Sequence, residues 1–135
     1  MIEILNQTKY KIDEGNIKKA ILATLEHVGE PAACEISVAI VSPAEIQALN
    51  KKYRGKDSVT DCLSFPMGDG GLLGDIVICY EQAEKQAAEI GQSVEKELAF
   101  LSMHSTLHLL GFDHADKHGE EEMLQKQRTI FASLF

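Results

Sequence analysis

No apolar run in these 135 residues approaches the roughly 18 needed to span a bilayer, and the opening MIEILNQTKYKIDEG lacks the basic-then-apolar order of a signal peptide. The cytoplasm is therefore the expected compartment, with no membrane role. Cysteine is scarce and odd in number. Cys34, Cys62 and Cys79 stand singly in apolar segments without a CxxC pair, which favours reduced core thiols over disulfides or thiolate metal sites. Basic charge is also in deficit, with 13 Lys and Arg against 21 Asp and Glu and a net charge of −8, so any polyanionic partner must be met by a local basic patch. Repeats, low-complexity tracts and linkers are missing too. With 44% apolar and 25% charged residues, the chain is long enough for one globular core and too short for two.

Periodicity gives the elements. IEILNQ (2–7) alternates as a strand, and Ile17, Ile21, Leu25 and Val28 recur at helical spacing before Gly29-Glu30-Pro31 ends the run. EISVAIV (35–41) is a β-branched strand. SPAE (42–45) then offers Ser42 as N-cap, Pro43 at the first helical position and Glu45 to complete a capping box, for a helix to about Asn50. KKYRGKDSVTD (51–61) has no apolar period and reads as a loop, after which CLSFP (62–66) and LLGDIVICY (72–80) read as a hairpin around MGDGG. A helix from Glu81 to about Ile90, a break at Gly91, a strongly apolar helix capped by Ser93, and a last helix over roughly Glu120–Leu134 complete the chain. The expected fold is a single α+β domain spanning 1–135, with a small mixed, mostly four-stranded sheet packed with helices.

Three of the five histidines fall within HSTLHLLGFDH (104–114). His104 and His108, four apart on a helix, lie on one face a turn apart, and Gly111 can take the left-handed conformation that turns the chain so that His114 approaches from the opposite side. Apolar residues spread around most of this helix make it central and buried, where unpaired imidazoles would be costly and a divalent ion would satisfy them. Three neutral histidines with one open position fit one zinc ion, although nickel, cobalt or copper suit the same donors. Asp113 is placed to act as an outer acceptor or as a surface carboxylate. His27 reads as a helix C-terminal residue and His118 as solvated in a polar turn.

In zinc peptidases of the HExxH type the glutamate after the first histidine is the general base; here that position is Ser105. The spacing matches a metzincin and the mechanism does not. Water polarised by a metal can ionise near neutral pH, so a reaction limited mainly by charge on the substrate, such as phosphodiester cleavage, can dispense with that base. KKYRGK (51–56) supplies the cations: Arg54 is the candidate for bidentate phosphate binding, Lys51, Lys52 and Lys56 for further phosphate contacts, and Tyr53 for stacking on a base. A solvated loop after a basic helix end is the competing reading of the same residues.

HSTLHLLGFDH, LNKKYRGKDSVTDCLSFP (49–66) and LLGDIVI (72–78), in this order and spacing, closely resemble the YbeY family of bacterial endoribonucleases, and the resemblance extends over essentially the whole chain. It implies zinc or a similar ion on His104, His108 and His114, a functionally essential arginine at Arg54, and single-strand-directed endoribonuclease activity in maturing the 3′ end of small-subunit ribosomal RNA and in ribosome quality control. The implied partners are that RNA precursor, the ribosome or its proteins, and a ribosome-assembly GTPase; DNA is not expected. Ser105 stands where the family commonly has glycine and Phe112 where it commonly has tyrosine, changes that bear on the pocket rather than on the ligands. Asp57, Asp61, Asp75 and Ser64, in the matched segments, are expected to serve structure rather than catalysis. Two alternatives remain: a ribosome-associated RNA-binding factor with a structural metal, and a metzincin-like metal-dependent hydrolase.

Overall fold

The computed structural model describes residues 1–30, 34–69, 72–112 and 117–135, without the side chains of residues 68 and 69. Its elements are β1 (Ile2–Asn6), α1 (Glu14–Val28), β2 (Glu35–Val41), α2 (Pro43–Arg54), β3 (Cys62–Asp69), β4 (Leu72–Cys79), α3 (Tyr80–Ile90), α4 (Val94–Leu109) and α5 (Lys117–Leu134). The sheet order is β1-β2-β4-β3, with β1, β2 and β4 parallel and β3 antiparallel to β4. The expected α+β domain with a mixed four-stranded sheet is what the chain forms.

Strand alternation explains the layering. Ile36, Val38 and Ile40 of β2 and Ile76 and Ile78 of β4 point to one face, where they pack on Ile17, Ile21 and Leu25 of α1 and on Leu98, Leu101 and Leu109 of α4. Val41, Val77 and Cys79 point the other way and, with Leu63 of β3, meet Ile46 of α2. Outside this sandwich α5 closes on α1 and α4, with Ile130 against Ala20, Ala99 and Met103. α4 thus lies between sheet and α5, which is why most of it is buried, as its sequence predicts. No helix among the described residues is long and apolar enough to cross a membrane. All three cysteines are free thiols.

Three expectations need correction. α2 does not stop at Asn50: the segment read as a loop continues the helix through Lys51, Lys52, Tyr53 and Arg54. Gly55, left-handed at φ 72°, then closes it by donating its N–H to the carbonyls of Asn50 and Lys51, and the basic residues of the last turn complement the negative end of the helix dipole. α5 starts at Lys117 rather than near Glu120. His118 is accordingly an exposed residue of that helix's first turn and not of a polar turn.

Candidate functional site

The site is built on the C-terminal half of α4. Ser93 caps its start by accepting from the Lys96 N–H at 3.3 Å. The buried hydroxyls of Ser102 and Thr106 each donate to a carbonyl one turn back, at 2.7 Å, so they need no outside partner in the apolar interior. His104 and His108 are half-buried and open on a cleft of about 700 Å³. Their Nε2 atoms lie 3.1 Å apart. Two imidazole nitrogens on one tetrahedral zinc, at bonds of 2.0–2.1 Å, stand about 3.3 Å apart, so the pair fits shared ligation of one ion. Gly111, at φ 95°, turns the chain after α4, as the sequence requires. His114 and Asp113 lie outside the described residues, so the third histidine and its neighbour stand on sequence alone.

The opposite wall comes from α2 and β3. Arg54 donates from Nη2 to the Ser64 carbonyl at 2.6 Å, and Ser64 in turn donates from Oγ to the Ser105 carbonyl at 3.3 Å. One residue of β3 thereby ties the end of α2 to the residue after His104. This places the Arg54 guanidinium on the histidine cleft, which Lys56 and Asp61 also line. The Asp61 carboxylate accepts from the Cys62 N–H at 2.7 Å and from Gln86 at 3.4 Å, while buried Glu97 accepts from Gln86 and Gln92 at 3.2 and 2.8 Å. A continuous hydrogen-bond chain therefore fixes the loop wall to α3 and α4, and Asp61 has the structural role its sequence context suggests. Asp57 is likewise held by Gln47 at 3.0 Å and lies 3.9 Å from the Lys51 ammonium.

Not every basic residue reaches the histidines. Lys51 faces Asp57, and Lys52 lies over the exposed Tyr53 ring at 5.2 Å. Tyr53 meets Phe65 edge-on at 5.3 Å and lines a second cleft, on the other side of Arg54, that also contains Asp75. Arg54 borders both clefts. Ser105 is fully buried beside the Cys62 thiol, and it is its carbonyl, through Ser64, that bears on the site. The helical step of about 100° between neighbouring residues turns it inward when His104 faces the cleft. Phe112 carries Lys126 over its ring at 5.3 Å.

One contact had no counterpart in the sequence reading. Gln127 of α5, buried, places its side-chain amide against Nδ1 of His104. The available signal was a polar residue in the apolar stripe Met123, Gln127, Ile130, at spacings of four and three.

Burial pushes the Cys62 thiol up to about 12, with the negative charge of Asp61 acting in the same direction. The thiol is protonated at neutral pH, so it is neither a ready nucleophile nor a ready thiolate ligand. Below the ordinary thiol value of 9.0 both folded and unfolded chains keep this proton; above it the unfolded chain loses it first, so stability falls as pH climbs toward about 12. Urea unfolding at pH 7.5 and 10.5 checks this. Cys62→Val is expected to lose less stability between the two than the parent protein, while the raised Tyr10 and Tyr80 hydroxyls act alike in both.

A family model described as Endoribonuclease YbeY matches residues 3–135. Proteins named Endoribonuclease YbeY from Finegoldia magna and Bacillus subtilis are 41% and 36% identical, covering 99% and 96% of this chain and 94% and 92% of their own. One from Macrococcus caseolyticus is 42% identical over 84% of this chain and 80% of its own. Among solved structures, the solution structure of TM1509 from Thermotoga maritima superposes with a TM-score of 0.71 at 33% identity, covering 99% of this chain and 89% of that one.

Proposed function

The chain belongs to the YbeY family of endoribonucleases, a metal-dependent family, and from that premise we propose that it cuts single-stranded RNA in the cleft between α2, β3 and α4. Its substrate is the small-subunit ribosomal RNA precursor, and its setting is 3′-end maturation and ribosome quality control in the cytoplasm. His104, His108 and His114 hold the ion, with zinc as the first choice and nickel or another divalent transition metal compatible with the same donors. A bound ion supplies Lewis-acid polarisation of a phosphoryl oxygen.

Arg54 holds the scissile phosphate. The Ser64 carbonyl takes one of its five N–H donors and sets the plane of the guanidinium, leaving the others for a planar, bidentate grip on phosphate oxygens. Lys56 adds positive charge on the same cleft, and Lys51 and Lys52 steer RNA from the flank. Because the chain as a whole is acidic, docking on the assembling ribosome falls to a ribosomal protein or an assembly GTPase rather than to RNA charge alone. The peptidase alternative loses ground because the position after His104 holds a serine buried away from the cleft.

The observation that carries this reading is the convergence of His104, His108 and Arg54 on one cleft. Its test is cleavage of a small-subunit ribosomal RNA 3′-end fragment by zinc-loaded protein and by Arg54→Ala. The variant is expected to keep its metal and to cut about 10²-fold more slowly, the scale seen when one transition-state donor is removed. An unchanged rate would take Arg54 out of the mechanism. RNA binding without cleavage in the parent protein would favour the binding-factor alternative.

A further inference from the structure

We propose that Gln127 is a positioning residue for the metal site, holding the His104 ring with Nε2 toward the cleft and setting which of its two nitrogens carries the proton. The inference rests on the reading of His104 as a metal ligand and adds α5 to the site. Gln127 is 3% exposed and lies between the buried Met123 and Ile130, where an apolar side chain would satisfy the packing and an amide must find partners. The His104 ring is such a partner: the Gln127 amide lies on Nδ1, and Nε2, at the other edge, lies 3.1 Å from Nε2 of His108. α5 therefore grips the ring from behind while its front edge faces the cleft.

The chemistry of the pair follows from counting donors. A neutral imidazole has one N–H and one lone pair, and which nitrogen carries which is set by the partner of the other. An amide can present either end. Nε2 of Gln127 faces the ring in the structure, and rotation about the Cγ–Cδ bond exchanges it for Oε1. With Oε1 on the ring, Nδ1–H donates to it and the Nε2 lone pair points at the cleft, which is the form a metal ligand needs. With the amide N–H on the ring, the imidazole proton sits on Nε2 and blocks ligation. Metal binding selects the first arrangement, and burial of Gln127 holds the ring for it.

Zinc alone is the probe, competed against a chromogenic chelator, with the 135-residue chain and two variants. Gln127→Leu keeps volume and burial but offers no acceptor; Gln127→Glu keeps an acceptor at the same reach. Zinc affinity is expected to fall about 10- to 100-fold in Gln127→Leu, the usual range for loss of a partner to a metal-bound histidine, and to be largely retained in Gln127→Glu. A purely structural role would make the glutamate variant the worse of the two, because it buries a charge. Equal affinity of Gln127→Leu and the parent protein overturns the proposal. A measurement on the unmutated protein stands beside these in case either variant misfolds: long-range ¹H–¹⁵N spectra of the zinc-loaded chain should show His104 protonated at Nδ1, and protonation at Nε2 overturns the proposal. If the parent protein binds no zinc, or His104→Ala binds it as tightly, the metal-site reading fails as well. If the parent binds through His104 and Gln127→Leu binds equally, only the role of Gln127 fails.

Discussion

His108→Ala is expected to lose its zinc and at least about 10³-fold of RNA cleavage while remaining folded. Lewis-acid stabilisation by a metal is worth several kcal/mol in the transition state, and each 1.36 kcal/mol is about tenfold in rate, which sets that scale. The fold should survive because His108 is half-buried on the cleft side of α4, while Leu107 and Leu109 on either side of it carry the burial of that turn. A metal-content assay, a circular dichroism melt and a cleavage assay on one preparation check all three statements. Zinc at about 100 times its dissociation constant should stabilise the parent protein by about 2.7 kcal/mol and leave the variant's melting temperature unmoved. A variant that keeps both metal and cleavage would remove His108 from the ligand set, leaving the 3.1 Å approach to His104 without that explanation.

Much of this site was readable because its devices are local. Two histidines four apart need only a helix to meet, and the helix announces itself through Ser93 and apolar residues around most of its surface. The Ser42 cap and the β-branched run 35–41 are of the same kind. The end of α2 was not, because Lys51, Lys52, Tyr53 and Arg54 face solvent and carry no apolar period; its stabilisation comes from Gly55 and from buried Asn50, which donates to the Ser58 carbonyl at 3.0 Å. That misreading bears on function: as the last helical residue rather than part of a loop, Arg54 has a fixed direction toward Ser64. Strand order β1-β2-β4-β3 and the contact of Gln127 with His104 join residues far apart in sequence, so no short pattern encodes them. The inward turn of Ser105 was derivable from helical phase once His104 was assigned to the cleft.

Gly74→Ala is expected to be the most destabilising small substitution in the sheet, by about 3 kcal/mol, in the upper range for overpacking at a well-filled position. Gly74 pairs with Pro66 across the β3–β4 hairpin and has φ 153°, a conformation side chains rarely adopt. A Cβ there would stand 2.5 Å from the Phe65 carbonyl oxygen, 2.7 Å from Cδ2 of Leu109 and 3.1 Å from Cα of Pro66. Leu109 can rotate aside, at the loss of some core packing. The Phe65 carbonyl and Pro66 Cα are backbone, and moving them means opening the hairpin. Gly55→Ala is the control: nothing lies within 4 Å of its added Cβ, so only the left-handed backbone at φ 72° is penalised, by roughly 1–2 kcal/mol. Urea unfolding of the two variants separates close approach from backbone preference. The consequence reaches the site, because Leu109 follows His108 and Phe65 follows Ser64, the residue that anchors Arg54. Pushing β3 away from α4 at Gly74 should therefore weaken zinc binding in the folded fraction as well as the fold, whereas Gly55→Ala should leave zinc affinity unchanged. Equal destabilisation of the two variants would mean that the hairpin yields easily at Gly74 and that the distance between β3 and α4 is set elsewhere.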